Sequence, residues 1–400
     1  MDIKAVIGAN YGDEGKGMFT EHLCRCMHKP AVVLSNGGCQ RGHTVNNKER
    51  GIRHVFNHFG SGTLCYAPSV MSSTFLLNPV IYVKELGELY DMGAHPEVFR
   101  APGCILQLPS DMFTNQMLER SRGESRHGSC GMGIWETKVR NASKKLTCEM
   151  FASMSRDDKK KTMEEALEQQ LEIRLRDVEI DEDILKIVRS KPFIDHFLHD
   201  FDTMIDSAKL LSSDKLLDIA WEEHDIHSLV VENAQGLLLD MKYAPPDEDG
   251  DTSKHSTPSK TGLEGVLDAL GCIQAPQQLV LNYISRSYLT RHGAGPFPEH
   301  DPSMSFNDAT NVYNEYQGSI RFGKIDVDKL VRRVKMDSMN SDHVNIVATH
   351  LNQLENEDLK EVASFMSYDD DSRHFRSKST AVKYFYDKQK NFHSHVQNRV

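Results

Sequence analysis

"IKAVIGANYGDEGKGMF", residues Ile3 to Phe19, joins a short apolar run to a glycine-rich stretch and then to residues with helical spacing. An apolar strand, a Gly-rich turn and a helix carrying Lys at its start make the frame in which backbone N–H groups hold phosphate. The usual loop of that kind reads G-x-x-x-x-G-K-[ST]. Here Gly8 lies farther from the Gly15-Lys16 pair. Gly17 stands where the metal-binding hydroxyl is expected, and Asp13 and Glu14 occupy the middle. A carboxylate faces phosphate only across a Mg²⁺ ion, or when it serves a different substrate. Asp13 in the first case replaces the lost hydroxyl at the metal. Lys16 supplies a point charge for a terminal phosphate.

The frame repeats outward. Met18, Leu23 and Met27 share one helical face, and "AVVLS" (31–35) is a second strand ending at another Gly-rich loop, "NGGCQRGHT" (36–44). Both loops then fall at the carboxyl ends of strands, where α/β sheets bind ligands. His43 closes the second loop and faces the same crevice as Lys16. "VMSSTFLL" (70–77) reads as a strand, and "NPVIYVKELGELY" (78–90) as a helix with Asn78 as N-cap and Pro79 in its first turn. "CILQLP", "HSLVVENAQG", "QQLVLNYIS" and "HVNIVATHL" read as further strands. Residues 157–220 are long, charged and amphipathic, a helical insertion packed over the sheet. Residues 243–262, rich in Pro, Ser, Thr and Asp, read as an exposed loop. The expectation is one α/β domain over residues 1–400 with a large, mainly parallel central sheet.

Composition narrows the class. The chain has 400 residues, 39% hydrophobic and 26% charged, within the ordinary range for a globular protein. A net charge of −11 without a basic stripe argues against nucleic-acid polymers, though single nucleotides need only a local site. The first residues do not read as a signal peptide, and no apolar run is long enough to span a bilayer, so a cytoplasmic enzyme is expected. The eight Cys form no C-x-x-C pair, which leaves neither a zinc nor a thioredoxin-type motif.

The two loops together resemble the paired signature of the adenylosuccinate synthetases. Three later stretches continue the likeness in order: "HGSCGMGIWETKV" (127–139), "ENAQGLLLD" (232–240) and "TRHGAGPFP" (290–298). That family ligates L-aspartate to a 6-oxopurine nucleotide through a 6-phosphoryl intermediate, as a homodimer with Mg²⁺. The resemblance implies catalytic roles for Asp13 (base at purine N1, and Mg²⁺ ligand), His43 (acid or polarising donor) and Lys16 (phosphoryl charge). The Gly42 carbonyl would complete the metal site. Gly12, Glu14, Gly15, Gly17, Gln40, Gln235 and Gly293 would line the nucleotide sites. Ser129 and Cys130 match two Thr positions near the acceptor 5′-phosphate. Arg140 is the nearest match to an Arg that reaches that phosphate from a partner subunit, and Thr257 or Thr261 would touch phosphate.

The departures bear on substrate. The family reads guanine of GTP with an Asp in T-K-L-D, whereas this chain has "THLNQL" (349–354) with Asn352 at that place. An amide donates to adenine N1 and accepts from N6, which favours ATP or dATP over GTP. The family's Arg-dense aspartate loop becomes "YQGSIRFGK" (316–324), keeping Arg321 and putting Ser319 where an Arg contacts ribose. Both changes resemble the phage branch, the 2-aminoadenylosuccinate synthetases, which use dGMP. Retention of Asp13, which the best-known members of that branch replace, leaves IMP as the alternative acceptor. A P-loop nucleotide kinase is the reading from another class. The missing Ser/Thr after Lys16 and the presence of the second loop weigh against it.

Overall fold

The computed structural model describes residues 1–47, 50–308, 310–313, 315–338, 341, 343–350 and 353. The strands are β1 (Asp2–Gly8), β2 (Pro30–Leu34), β3 (His43–Asn47), β4 (Ile52–Phe56), β5 (Ser69–Met71), β6 (Leu76–Leu77), β7 (Val98–Arg100), β8 (Ile105–Leu106), β9 (Lys209–Leu210), β10 (Ser228–Glu232), β11 (Leu279–Arg286), β12 (Leu289–Arg291), β13 (Arg321–Gly323) and β14 (Val344–Thr349). The helices are α1 (Lys16–Cys26), α2 (Pro79–Asp91), α3 (Pro109–Arg122), α4 (Ile134–Ser143), α5 (Cys148–Ala152), α6 (Arg156–Ile173), α7 (Glu182–Arg189), α8 (Lys191–Ser207), α9 (Leu263–Leu270) and α10 (Val327–Asp337).

One eight-stranded sheet, ordered β14-β11-β1-β10-β2-β5-β7-β9, carries the molecule, and its pairings are parallel throughout. Side chains alternate across it. Val6, Val32 and Leu34 enter the core on one face, with Phe19 and Leu23 of α1. Ala5, Ile7, Ala31 and Val33 enter the core on the other, with Val266 of α9 and Leu330 of α10. Strands buried on both faces read as continuous apolar runs, which is why β1, β2, β10 and β11 were legible in the sequence. Met18 and Met27 pack beside Leu23 as the helical spacing predicts. Asn78 caps α2 by accepting from the Ile81 N–H, with Pro79 in the first turn.

Three expectations need correction. "VMSSTFLL" is not one strand. β5 stops at Met71, because the Ser72 hydroxyl turns back to the Leu34 carbonyl at 2.8 Å, and Leu76–Leu77 pairs separately with β8. The 157–220 segment is α-helical only to Ser207, with one 3₁₀ turn later at Leu216–Asp218. Lys209–Leu210 then adds β9 parallel to β7 at the sheet edge. Within it, α8 places Phe197, Phe201 and Met204 in the main core, while α6 and α7 close a smaller cluster against Phe113 and Met117 of α3. The 243–262 stretch is exposed only in part: Thr257, Ser259 and Thr261 are buried. Among the described residues, no helix is long and apolar enough to cross a membrane.

Candidate active site

The carboxyl ends of β1, β2, β10, β11 and β14 open on a cleft of about 1090 Å³. That volume is at the upper end for one ligand, and leaves room for more than one reactant. The loop after β1 turns through left-handed residues at Gly12, Asp13 and Gly15, with φ of 92°, 59° and 88°. Gly15 caps α1 without a side-chain hydrogen bond, so the helix N-terminus faces the cleft with N–H groups available to an anion.

Gly17 answers the question of the missing hydroxyl. α1 rests on β3 there, and a Cβ at residue 17 would come within 2.9 Å of the Thr44 carbonyl oxygen and 3.0 Å of the His43 carbonyl carbon. Any Ser or Thr meets backbone that cannot swing aside. Gly17→Ser is therefore expected to lower unfolding free energy by about 1–3 kcal/mol, as overpacked sites do, in a urea titration. Unchanged stability would show that β3 yields.

Glu14 lines the cleft, yet its carboxylate is spent within the protein. It accepts from the Asn10 N–H at 2.5 Å and lies 3.3 Å from Lys16 Nζ. Burial pushes its carboxyl up, with Lys16 opposing. Glu14 thus braces the loop and aims Lys16. Three more ties hold the loop. Arg333 of α10 donates to the Ala9 carbonyl at 2.8 Å and to Asn10. Thr349 donates to the Glu14 carbonyl at 2.8 Å. Arg286 donates to the Asp13 carbonyl and pairs with Asp308 at 2.7 Å.

Asp13 is handled differently. Among the described residues none hydrogen-bonds to its carboxylate, which stands on the cleft wall with Gly42. No cluster of three or more His, Cys, Asp or Glu able to hold a metal is present among those residues. A carboxylate and a carbonyl are hard oxygen donors that leave most coordination positions to water and phosphate, which suits Mg²⁺.

The second loop sets His43 in front of a buried ion pair. Arg41 donates to Glu232 at 2.6 Å, and the Ser61 hydroxyl donates to the same carboxylate at 2.5 Å. His43 Nδ1 is 2.9 Å from both Arg41 Nη2 and Glu232 Oε1. Burial lowers the His43 pKa to about 4, with Arg41 adding to that effect and Glu232 opposing it. Burial alone would raise Glu232, but His43 and Arg41 outweigh it and hold the carboxyl well below the usual range. Because His43 is neutral near pH 7, Arg41 is the lasting partner. One ring nitrogen between a donor and an acceptor serves both protonation states. Neutral, Nδ1 accepts from Arg41; protonated, it donates to Glu232. With the neutral ring in the tautomer that accepts from Arg41, Nε2 carries a hydrogen in both states.

Gly12, Asp13, Glu14, Gly15, Lys16, Gly17, Gln40, Gly42, His43, Ser129, Cys130 and Gln235 all line this one cleft. Among the described residues, the side-chain amide atoms of Gln40 and the side-chain Oε1 of Gln235 are buried without a hydrogen-bond partner. Of the two Thr candidates, Thr257 lines the cleft, while Thr261 is turned onto the Gly236 carbonyl at 3.1 Å. The expectation for Arg140 does not survive. Its guanidinium is buried, donating twice to Asp111 at 2.8 Å and once to the Leu106 carbonyl at 2.7 Å, so it cannot reach out to a partner's phosphate. Gly293 lies between the lining residues His292 and Ala294, pressed against the Gly128 carbonyl. Ser319 is exposed, and Asn352 lies outside the described residues. Arg41, Glu232, Arg286 and Asp308 were not singled out by the sequence reading. The first two sit inside quoted motifs, whereas nothing local marks the others.

A profile of the family described as adenylosuccinate synthetase matches residues 5–397. The chain belongs to the adenylosuccinate synthetase family. It is thus a member of a family of C–N bond-forming ligases. The adenylosuccinate synthetase of Acinetobacter baylyi is 28% identical, over 95% of this chain and 84% of its own length. That of Borrelia duttonii is 26% identical over 90% and 79%. Two solved structures share the fold. Fully ligated adenylosuccinate synthetase from Plasmodium falciparum has a TM-score of 0.66 at 19% identity, covering 89% of this chain and 78% of that one. Succinoaminodeoxyadenylate synthetase of cyanophage S-2L, bound to dGMP and to dATP as an energy donor, has a TM-score of 0.60 at 11% identity, covering 91% and 89%.

Proposed function

We propose that this synthetase joins L-aspartate to the 6-position of dGMP, using ATP or dATP, and releases the N6-succinyl nucleotide with a nucleoside diphosphate and phosphate. The working form is read as a homodimer, as the family resemblance implies. Asp13 takes the N1 proton of the purine, which concentrates negative charge on the 6-oxygen. His43 donates from Nε2 between that oxygen and the γ-phosphate. Lys16 and the α1 N-terminus stabilise the charge on the transferring phosphoryl group. The aspartate amine then displaces phosphate from C6. Mg²⁺, held by Asp13 and the Gly42 carbonyl, would neutralise the phosphate oxygens.

The observation that carries the deoxyribonucleotide is at 316–324. Arg321 turns its guanidinium onto the Gly293 and Gly295 carbonyls, at 2.7 and 3.0 Å, and Ser319 lies exposed. Neither residue lines the cleft. This stretch therefore offers the cleft no guanidinium for a ribose 2′-hydroxyl. The cyanophage relative, of the same fold, holds dGMP with dATP, a precedent for that substrate pair. The test crosses dGMP and IMP with ATP, dATP and GTP in the presence of aspartate, following phosphate and succinylated product. Highest kcat/KM is expected for dGMP with ATP or dATP. Turnover confined to IMP with GTP would overturn the substrate assignment.

A further inference from the structure

Asp13 holds a backbone conformation that an L residue adopts only under constraint. Its φ of 59° is left-handed, between the left-handed glycines at 12 and 15, and a Cβ there crowds the neighbouring carbonyl. The constraint comes from outside the loop. Arg333 and Thr349 hold the carbonyls of Ala9 and Glu14. The carbonyl of Asp13 itself is held by Arg286, the last residue of β11.

Arg286 is fixed in turn. Each nitrogen of its guanidinium has a partner: Nε donates to the Asp13 carbonyl, Nη1 to the Tyr288 hydroxyl at 3.0 Å and Nη2 to Asp308 at 2.7 Å. Asp308 accepts from the Thr310 and Asn311 N–H groups at 2.9 and 3.1 Å, and from the Asn311 side chain at 3.1 Å. Both charged side chains are buried. Burial alone would raise the Asp308 carboxyl, but Arg286 and the two N–H groups outweigh it and hold it well below the usual range. Tyr288 stacks on Phe306 at 4.1 Å between centroids. Thr310 accepts from Arg53 at 2.6 Å and lies 3.1 Å from the Thr44 hydroxyl. The bracket therefore stands on the sheet at one end and on the β3–β4 hairpin at the other.

Because Asp308 takes up the guanidinium charge, Arg286 holds residue 13 by its carbonyl and leaves the carboxylate to the cleft. We propose that Arg286 and Asp308 are a positioning pair for the reaction, keeping the Asp13 backbone in its left-handed turn so that the carboxylate meets the purine in reacting geometry. Released, residue 13 relaxes toward right-handed or extended backbone, and the carboxylate moves with it. A displacement of about 1 Å at a reacting group costs on the order of 100-fold in rate. This rests on the reading of Asp13 as the base at purine N1.

A double-mutant cycle on the full chain separates positioning from general support of the fold. R286M keeps the stem of the side chain and removes its donors. With aspartate and whichever of dGMP or IMP, and of ATP or GTP, turns over best, R286M should lower kcat by about 10- to 100-fold while KM for both nucleotides moves less than about threefold. Arg286→Lys, which can still donate to the carbonyl, should recover part of the loss. In the D13N background R286M should cost less than about threefold more, because the group it positions is already gone. D308N taken through the same cycle should show the same pattern, and decides if R286M does not fold. An unchanged kcat in R286M, or the same fold-loss with and without Asp13, overturns the positioning pair. D13N with wild-type turnover would overturn the base reading and the pair together, whereas a failing D13N enzyme beside a normal R286M enzyme overturns the pair alone.

Discussion

Asp13→Asn should lower aspartate-dependent turnover by about 10²–10⁴-fold while leaving the protein folded. The substitution isolates the charge. Residue 13 sits at φ 59°, a conformation that Asn adopts as readily as Asp, whereas Ala would strain the loop. The bond from Arg286 goes to the backbone carbonyl and is kept. Among the described residues no hydrogen bond to the carboxylate is lost. Stability should stay within about 0.5 kcal/mol of wild type, as for substitutions that break no buried contact. On the proposed reading, the change at the cleft is the loss of a base and of a hard oxygen anion. Steady-state phosphate release, read beside thermal unfolding, checks both halves. Turnover near the wild-type rate would move the base to another residue.

Glu232→Gln should damage both stability and chemistry. The carboxylate is fully buried with Arg41 and takes two further hydrogen bonds from Ser61. Removing its charge leaves a buried guanidinium unpaired, at a cost of about 3–5 kcal/mol in unfolding free energy. It also removes the negative charge that steadies His43 when protonated, so kcat should fall by at least about 100-fold. The pH signs follow from the two shifts. Glu232 has a depressed folded value, so its contribution to stability is present above the unfolded value of about 4.3 and is lost as pH falls toward the folded one. His43 is also depressed, to about 4, so the unfolded chain binds the proton first and stability falls as pH drops from about 6.5 toward 4. Wild-type stability should therefore decline on acidification across that window, and the variant should lose the additional decline below it. Urea titrations at several pH values measure this; a variant as stable as wild type would remove Glu232 from the buried network.

The parts of the fold legible in the sequence were those where burial is two-sided and local. β1 and β11 are runs of apolar residues because helices cover both faces, and α2 announces its start with Asn78-Pro79. β9 was invisible because two exposed residues, Lys209 and Leu210, join a sheet only through the backbone of β7. At the site, Lys16 and Asp13 could be placed because strand, glycines and helix form one continuous stretch. Glu14 read as a ligand residue by position, yet its bond to Asn10 turns it inward, and no spacing rule reports such a turn. Arg140 failed for the same reason: Asp111, its partner, lies on another helix. Arg286 reaches Asp13 from a strand far along the chain, a contact set by sheet order rather than by motif.

The contact of Gly17 with the start of β3 has a thermodynamic meaning. On the proposed reading, Lys16 and His43 belong to loops with different tasks, one toward the phosphate donor and one toward the oxygen that receives it. With no side chain between them, helix and strand touch backbone to backbone, so neither loop can shift without carrying the other. A nucleotide that settles either loop would therefore bias the position of the other, and the coupling would run equally in both directions.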